Sequence, residues 1–161
     1  MLRLIREAVP APAYRLLFGT AHELRKVWWR LARPRIEGTR VVALDEAGRV
    51  LLVRHSYGSA AWMLPGGGLG RGEDIVAAAT RELVEETGVA LSCGRHVDTY
   101  EVRLHGARNT VHIVTGTAAG LPTPDGREVT EARYFATGDL PGPMPAIMRD
   151  NLAAWIARAG A

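Results

Sequence analysis

A chain of 161 residues with 47% hydrophobic and 23% charged content is sized for one globular domain with an ordinary core, which excludes two full domains and a disordered acidic chain. The single cysteine, Cys93, and the absence of any Cys-x-x-Cys pair exclude an internal disulfide and a thiolate zinc or redox motif, and fit a reducing cytoplasm. The net charge of +3 is uneven: residues 1–40 hold nine Arg/Lys against three Asp/Glu, and the remainder holds eleven against fourteen. Such a basic segment reads first as a solvated helix face, and contact with phosphate, nucleic acid or anionic lipid is the sharper alternative.

In chain order, Leu17, Ala21, Leu24, Trp28 and Leu31 recur at spacings of four and three, which predicts an amphipathic helix. Pro10, Pro12 and Pro34 break the helical pattern on either side. Residues 1–37 therefore read as an N-terminal helical extension and 38–161 as the domain proper. The apolar stripe calls for cover, from the domain body, from a second copy in a homodimer, or from a membrane surface met by Trp28 and Trp29. No apolar run reaches about 18 residues, so no transmembrane segment is expected, and Arg3, Arg6 and Glu7 interrupt a signal-peptide core.

From Gly38 the pattern changes to strands, Arg40 to Leu44 and Val50 to Arg54, around the turn-forming Asp45-Glu46-Ala47-Gly48. Pro65-Gly66-Gly67-Gly68 then feeds a helix from about Ile75 to Glu86, stopped by Gly88. Two strands are expected over His96 to Leu104 and Thr110 to Thr117, with Gly106 and Asn109 in the turn, and a short one over Glu131 to Phe135. Pro145 to Arg158 closes the chain as an amphipathic helix. Strands alternating with helices predict an α/β layered fold with a mixed sheet.

The chemistry sits on the central helix. At i, i+3 and i+4, Glu82, Glu85 and Glu86 share one face and aim three carboxylates at one region. Like charges so placed repel and call for a cation. Oxygen donors select magnesium, manganese or calcium over zinc. Magnesium keeps waters and commonly binds one or two carboxylates together with substrate phosphates, so Mg2+ or Mn2+ is the expected ion. Arg81, next to Glu82, is suited to hold a carboxylate through its guanidinium fork. The glycines ahead of the helix allow close backbone approach, so the Gly66 carbonyl joins the candidate ligands. A solvated Glu/Arg helix would explain the three glutamates alone. It does not explain the longer string Gly67, Glu73, Arg81, Glu82, Glu85, Glu86 and Gly88, whose chance occurrence at one start is on the order of one in a billion.

With five residues between Gly67 and Glu73, seven between Glu73 and Arg81, and Leu83 and Val89 at the aliphatic positions, residues 67–89 resemble the Nudix box without a departure. The likeness extends loosely to the flanks from about Gly38 to Trp155. It implies an α/β/α sandwich with a mixed sheet and a metal-dependent pyrophosphohydrolase that cuts a phosphoanhydride by in-line attack of water. Glu85 and Glu86 would be the principal ligands. Glu82 would bind metal or act as base, and Glu73 would support the site. The resemblance also implies a further carboxylate from outside the box, for which Glu128 is preferred over Glu131.

Arg54 and Arg71 are candidates for phosphate, His55 for the site itself, and Trp62 and Tyr134 for stacking on a base. Each of the aromatics has packing as its plain alternative. The leading expectation is a small nucleotide substrate: a nucleoside triphosphate, a nucleotide sugar or a relative. Two readings stand beside it: hydrolysis of an RNA 5′ end helped by the basic N-terminal segment, and a non-catalytic nucleotide-sensing module.

Overall fold

The computed structural model of the chain describes residues 34–104 and 106–159, together with Trp28 and Ala32. Most of the extension expected over residues 1–37 lies outside the described residues. Five strands, β1 (Arg35–Leu44), β2 (Val50–His55), β3 (Ala90–Leu104), β4 (Ala107–Ala119) and β5 (Val129–Phe135), form one sheet in the order β3-β4-β1-β2-β5. The β1–β4 pair is parallel and the other neighbours are antiparallel. Helix α1 (Ile75–Thr87) covers one face and α2 (Ala146–Ala159) the other.

Strand alternation divides the core. On β1, Val41 and Ala43 join Leu51, Val114 and Ala118 beneath Ala79 and Leu83 of α1, while Val42 turns the opposite way with Leu52 and Ile113 toward Met148, Leu152 and Trp155 of α2. Central strands buried on both faces read as near-continuous apolar runs, which is why residues 41–43 and 50–53 show no polar alternation.

Trp155 fixes α2. Its ring stacks on Tyr100 and its Nε1 donates to Asp98 Oδ2 at 2.7 Å, giving a buried indole the polar partner it needs. Trp155→Phe is expected to lower stability by about 1 to 2 kcal/mol through the lost hydrogen bond and smaller ring. Urea denaturation measures this, and an unchanged midpoint would remove the bond from the account.

The feature that builds the site is a gap in the sheet. Strands β1 and β2 pair through Leu44 and Val50 next to their turn and then part, and the segment from Met63 to Gly68 fills the space as an irregular extra strand. Val53 and Met63 exchange two hydrogen bonds at 2.9 Å, Val41 N–H donates to Pro65 O at 2.9 Å, and Thr39 N–H donates to Gly67 O at 2.8 Å. Backbone donors that β2 leaves behind are thus satisfied by the loop.

Three expectations shift. Strand β3 begins at Ala90 rather than His96, because two bulges, one near Cys93 at φ 53 and one between His96 and Asp98, break the two-residue alternation from which a strand is read. Asn109, expected in a turn, lies in β4 opposite Val102 and Ile36. Strand β1 starts at Arg35, extended by parallel pairing with Arg108 and beyond, a long-range partnership with no local signal. Among the described residues no helix is long and apolar enough to cross a membrane.

Candidate active site

Helix α1 is started by Asp74, whose carboxylate accepts from Ala77 N–H at 2.9 Å, and stopped by Gly88, left-handed at φ 70, whose N–H returns to Val84 O. Both are standard end devices. Since Ala78, Ala79 and Leu83 are buried, the helix rotation is set by the core, and it brings Glu86 inward: that residue is only 6% exposed.

Arg81 organises the outer part of the site. Its Nε and Nη2 donate to the two oxygens of Glu73 at 2.9 and 3.1 Å, its Nη1 donates to Glu82 Oε1 at 2.6 Å, and Nη2 also reaches Gly68 O at 3.3 Å. Glu73 accepts in addition from Gly70 N–H at 2.8 Å. The Arg81 hydrogen bonds, followed by that of Gly70, hold the Glu73 carboxyl below its usual range, so it stays ionised. One guanidinium therefore sets two carboxylates and a loop carbonyl in fixed relation.

Where the loop crosses these groups Gly66 must be glycine, and Gly67 leaves room for the Glu82 carboxyl. A Cβ on Gly67 would lie 2.5 Å from the Glu82 carboxyl carbon, and one on Gly66, at φ +137, would lie 2.3 Å from Thr39 O. The bare backbone lets Gly66 N–H donate to Glu86 Oε2 at 3.0 Å.

Glu86 is the unusual group. Burial pushes its carboxyl up to about 8, against the attraction of Arg40 and the Gly66 N–H, and Glu82 and Glu128 add to the rise. A buried carboxylate near two others is an excess of negative charge that a cation relieves. The neighbouring side chains able to ligate, Glu82 and Glu128, offer oxygens, the donor type that suits a hard divalent ion. Among the described residues no three His, Cys, Asp or Glu side chains are already gathered as a cluster. Like charges explain this: Glu82 turns to Arg81 and Glu86 to Gly66.

The remaining expected residues separate. Glu85 is half-buried on α1, and Glu128 faces Glu86 electrostatically from the loop before β5. Glu131 is instead engaged by Arg54 at 2.6 Å and Arg133 at 2.8 Å. Trp62 does not offer a stacking face: it is 5% exposed, edge-on to Phe135 at 4.8 Å, with the Arg54 guanidinium 4.6 Å above its ring. An apolar ring at the sheet gap is worth more packed than exposed. Tyr134 is half-buried against the α1-side core, with Arg49 over its ring. His55 is half-buried beside Tyr57, and Arg71 is exposed in the turn ahead of α1.

Two residues escaped the sequence reading. Arg40, just ahead of the apolar run 41–44 of β1, donates to Gly66 O and, at 3.5 Å, to Leu64 O. Asp125 organises the loop that carries Glu128, and its Asp-Gly turn signature was visible.

The NUDIX domain profile matches residues 34–158. A Bacillus subtilis (strain 168) protein named provisionally as an 8-oxo-dGTP diphosphatase is 30% identical over 106 residues, covering 65% of this chain and 69% of that protein. The RNA pyrophosphohydrolase of Dinoroseobacter shibae is 54% identical over 52 residues, and the chain spans about a third of its length, 32%. The MutT NUDIX hydrolase of Burkholderia pseudomallei superposes with a TM-score of 0.66 at 24% identity, covering 74% of this chain and 96% of that one, a likeness of fold. Profile, fold and sequence relatives agree that the chain belongs to the Nudix family, whose hydrolases cut phosphoanhydride bonds and generally use divalent metal ions.

Proposed function

We propose that this hydrolase cleaves a phosphoanhydride in a nucleoside diphosphate linked to a further group, such as a nucleoside triphosphate or a nucleotide sugar, by in-line attack of water. Glu85, Glu86, Glu82 and Glu128 would hold Mg2+ or Mn2+, and the Gly66 carbonyl, which accepts from Arg40, would join them through its second lone pair. The observation that carries this reading is Glu86, a buried carboxylate set against Glu82 and Glu128 with its carboxyl pushed up to about 8. When bound, the ion supplies charge neutralisation of the pyrophosphate and a more acidic attacking water.

The chain's own residues do the rest. Arg81 orients Glu82 through Oε1, which leaves Oε2 for the ion or for the proton of the attacking water. Glu73 fixes Arg81 from the other side. Arg71 and His55 are the candidates for the substrate phosphates, and Arg54 enters through its pairing with Glu131. The glycine segment admits the pyrophosphate close to backbone.

The test is product release from canonical and oxidised nucleoside triphosphates, nucleotide sugars, dinucleotides and triphosphorylated RNA, each with and without Mg2+ or Mn2+. Metal-dependent cleavage of one small-nucleotide class is expected. Binding without turnover at saturating metal would replace the enzyme by a sensing module. A second reading, hydrolysis of an RNA 5′ end, draws on the 54% identity over 52 residues to an RNA pyrophosphohydrolase; RNA turnover that collapses in high salt, with no small nucleotide cleaved, would favour it.

A further inference from the structure

Glu128 comes from a loop, and loops position side chains poorly unless something fixes them. This one is tied at both ends. On the α1 side, Thr123 N–H donates to Thr87 O at 2.7 Å and Asp125 N–H to Glu86 O at 3.3 Å. On the β2 side, Ser56 N–H donates to Glu128 O at 2.9 Å, and Ser56 Oγ donates to Arg127 O at 2.5 Å. Between them, one oxygen of Asp125, Oδ1, accepts from three successive backbone N–H groups, Arg127 at 3.0 Å, Glu128 at 3.0 Å and Val129 at 2.9 Å. Gly126, left-handed at φ 70, makes the reversal between them.

We infer that Asp125 is a positioning residue for the metal site: its carboxylate folds the 125–129 turn around one oxygen and thereby sets Glu128 against Glu86. The same residue touches both sides of the site, through its own N–H on the Glu86 carbonyl and through its side chain on the Glu128 backbone. An aspartate is suited to this because an ionised carboxylate oxygen accepts several charge-assisted bonds at once. The backbone groups it satisfies are those a tight turn would otherwise leave without partners. The role acts through the backbone that carries Glu128. It rests on the reading of Glu128 as a ligand.

The experiment is a double-mutant cycle on the full chain, reading Mn2+ affinity by calorimetry in the absence of substrate. The variants are Asp125→Ala, Asp125→Asn and Glu128→Gln, with the first also combined with the third. Asp125→Ala is expected to weaken Mn2+ binding about tenfold, the scale of an outer-shell partner. Asp125→Asn, which keeps an acceptor oxygen, should restore most of that. Combined with Glu128→Gln, Asp125→Ala should add nothing further. Parent-like affinity in Asp125→Ala while Glu128→Gln is impaired overturns the inference, as does a full multiplication of the two losses. Unchanged affinity in Glu128→Gln itself removes Glu128 from the shell, and this inference falls with it. If Asp125→Ala does not fold, Gly126→Ala takes its place: it strains the same turn at φ +70, with no atom within 4 Å of the new methyl, and should weaken Mn2+ binding in the parent but not in Glu128→Gln.

Discussion

Replacing Glu86 by Gln is expected to lower turnover on the order of a thousandfold, the scale of several kcal/mol of charge stabilisation, while making the protein treated with a chelator more heat-stable at pH 8. The second effect follows from burial. In the unfolded chain the carboxyl ionises near its ordinary value of 4.5, whereas in the fold burial, the largest cause, pushes it up to about 8. The folded state therefore holds a proton that the unfolded state releases, and stability falls as pH rises between those values. The contribution is fully present below the unfolded value and lost above the folded one, roughly 5 kcal/mol in all. Glutamine removes that slope, and a divalent ion offsets it in the parent by binding the folded state. Melting temperatures from pH 5 to 9, with chelator and with Mn2+, check the stability arm, and steady-state turnover checks the other. Activity within a few-fold of the parent, or a flat pH profile in the parent, would defeat this account of Glu86.

The second large effect concerns Gly66. A methyl there would lie 2.3 Å from Thr39 O and 3.0 Å from Arg40 Cα at a φ of +137. Both obstacles are backbone of a central strand, so neither can step aside. Gly66→Ala is expected to lose about 3 kcal/mol or more, and with it the N–H held on Glu86. Gly68→Ala is the matched control, since its methyl meets nothing within 4 Å, and it should stay within about 0.5 kcal/mol of the parent. Equal denaturation midpoints for the two variants would show that the loop relaxes away from β1.

The helix carrying the carboxylates was legible because its signals are local: the stop at Gly88 and a spacing that puts the glutamates together, while its N-terminal cap at Asp74 came only with the structure. Gly67 and Gly66 were legible as glycines but not as to what they avoid, since the Glu82 carboxyl and Thr39 O are brought there by folding. Trp62 shows the limit most directly. Its neighbours in sequence suggest a site residue, and its neighbours in space, Phe135 and the Arg54 guanidinium, make it core. Arg54 in turn is committed to Glu131, 77 residues away in the chain.

By itself the sequence determined the family resemblance, the α/β class and the carboxylate-bearing helix, because spacing along a helix converts directly into a shared face. Only the tertiary structure decided that Glu86 is buried, that Glu128 adds to the negative charge around it, and that Glu131 is engaged by Arg54. It also decided that a loop fills the gap between β1 and β2. Those depend on the packing of α1 on the sheet and on contacts between distant segments, and a carboxyl's ionisation is set by the solvent that such packing removes.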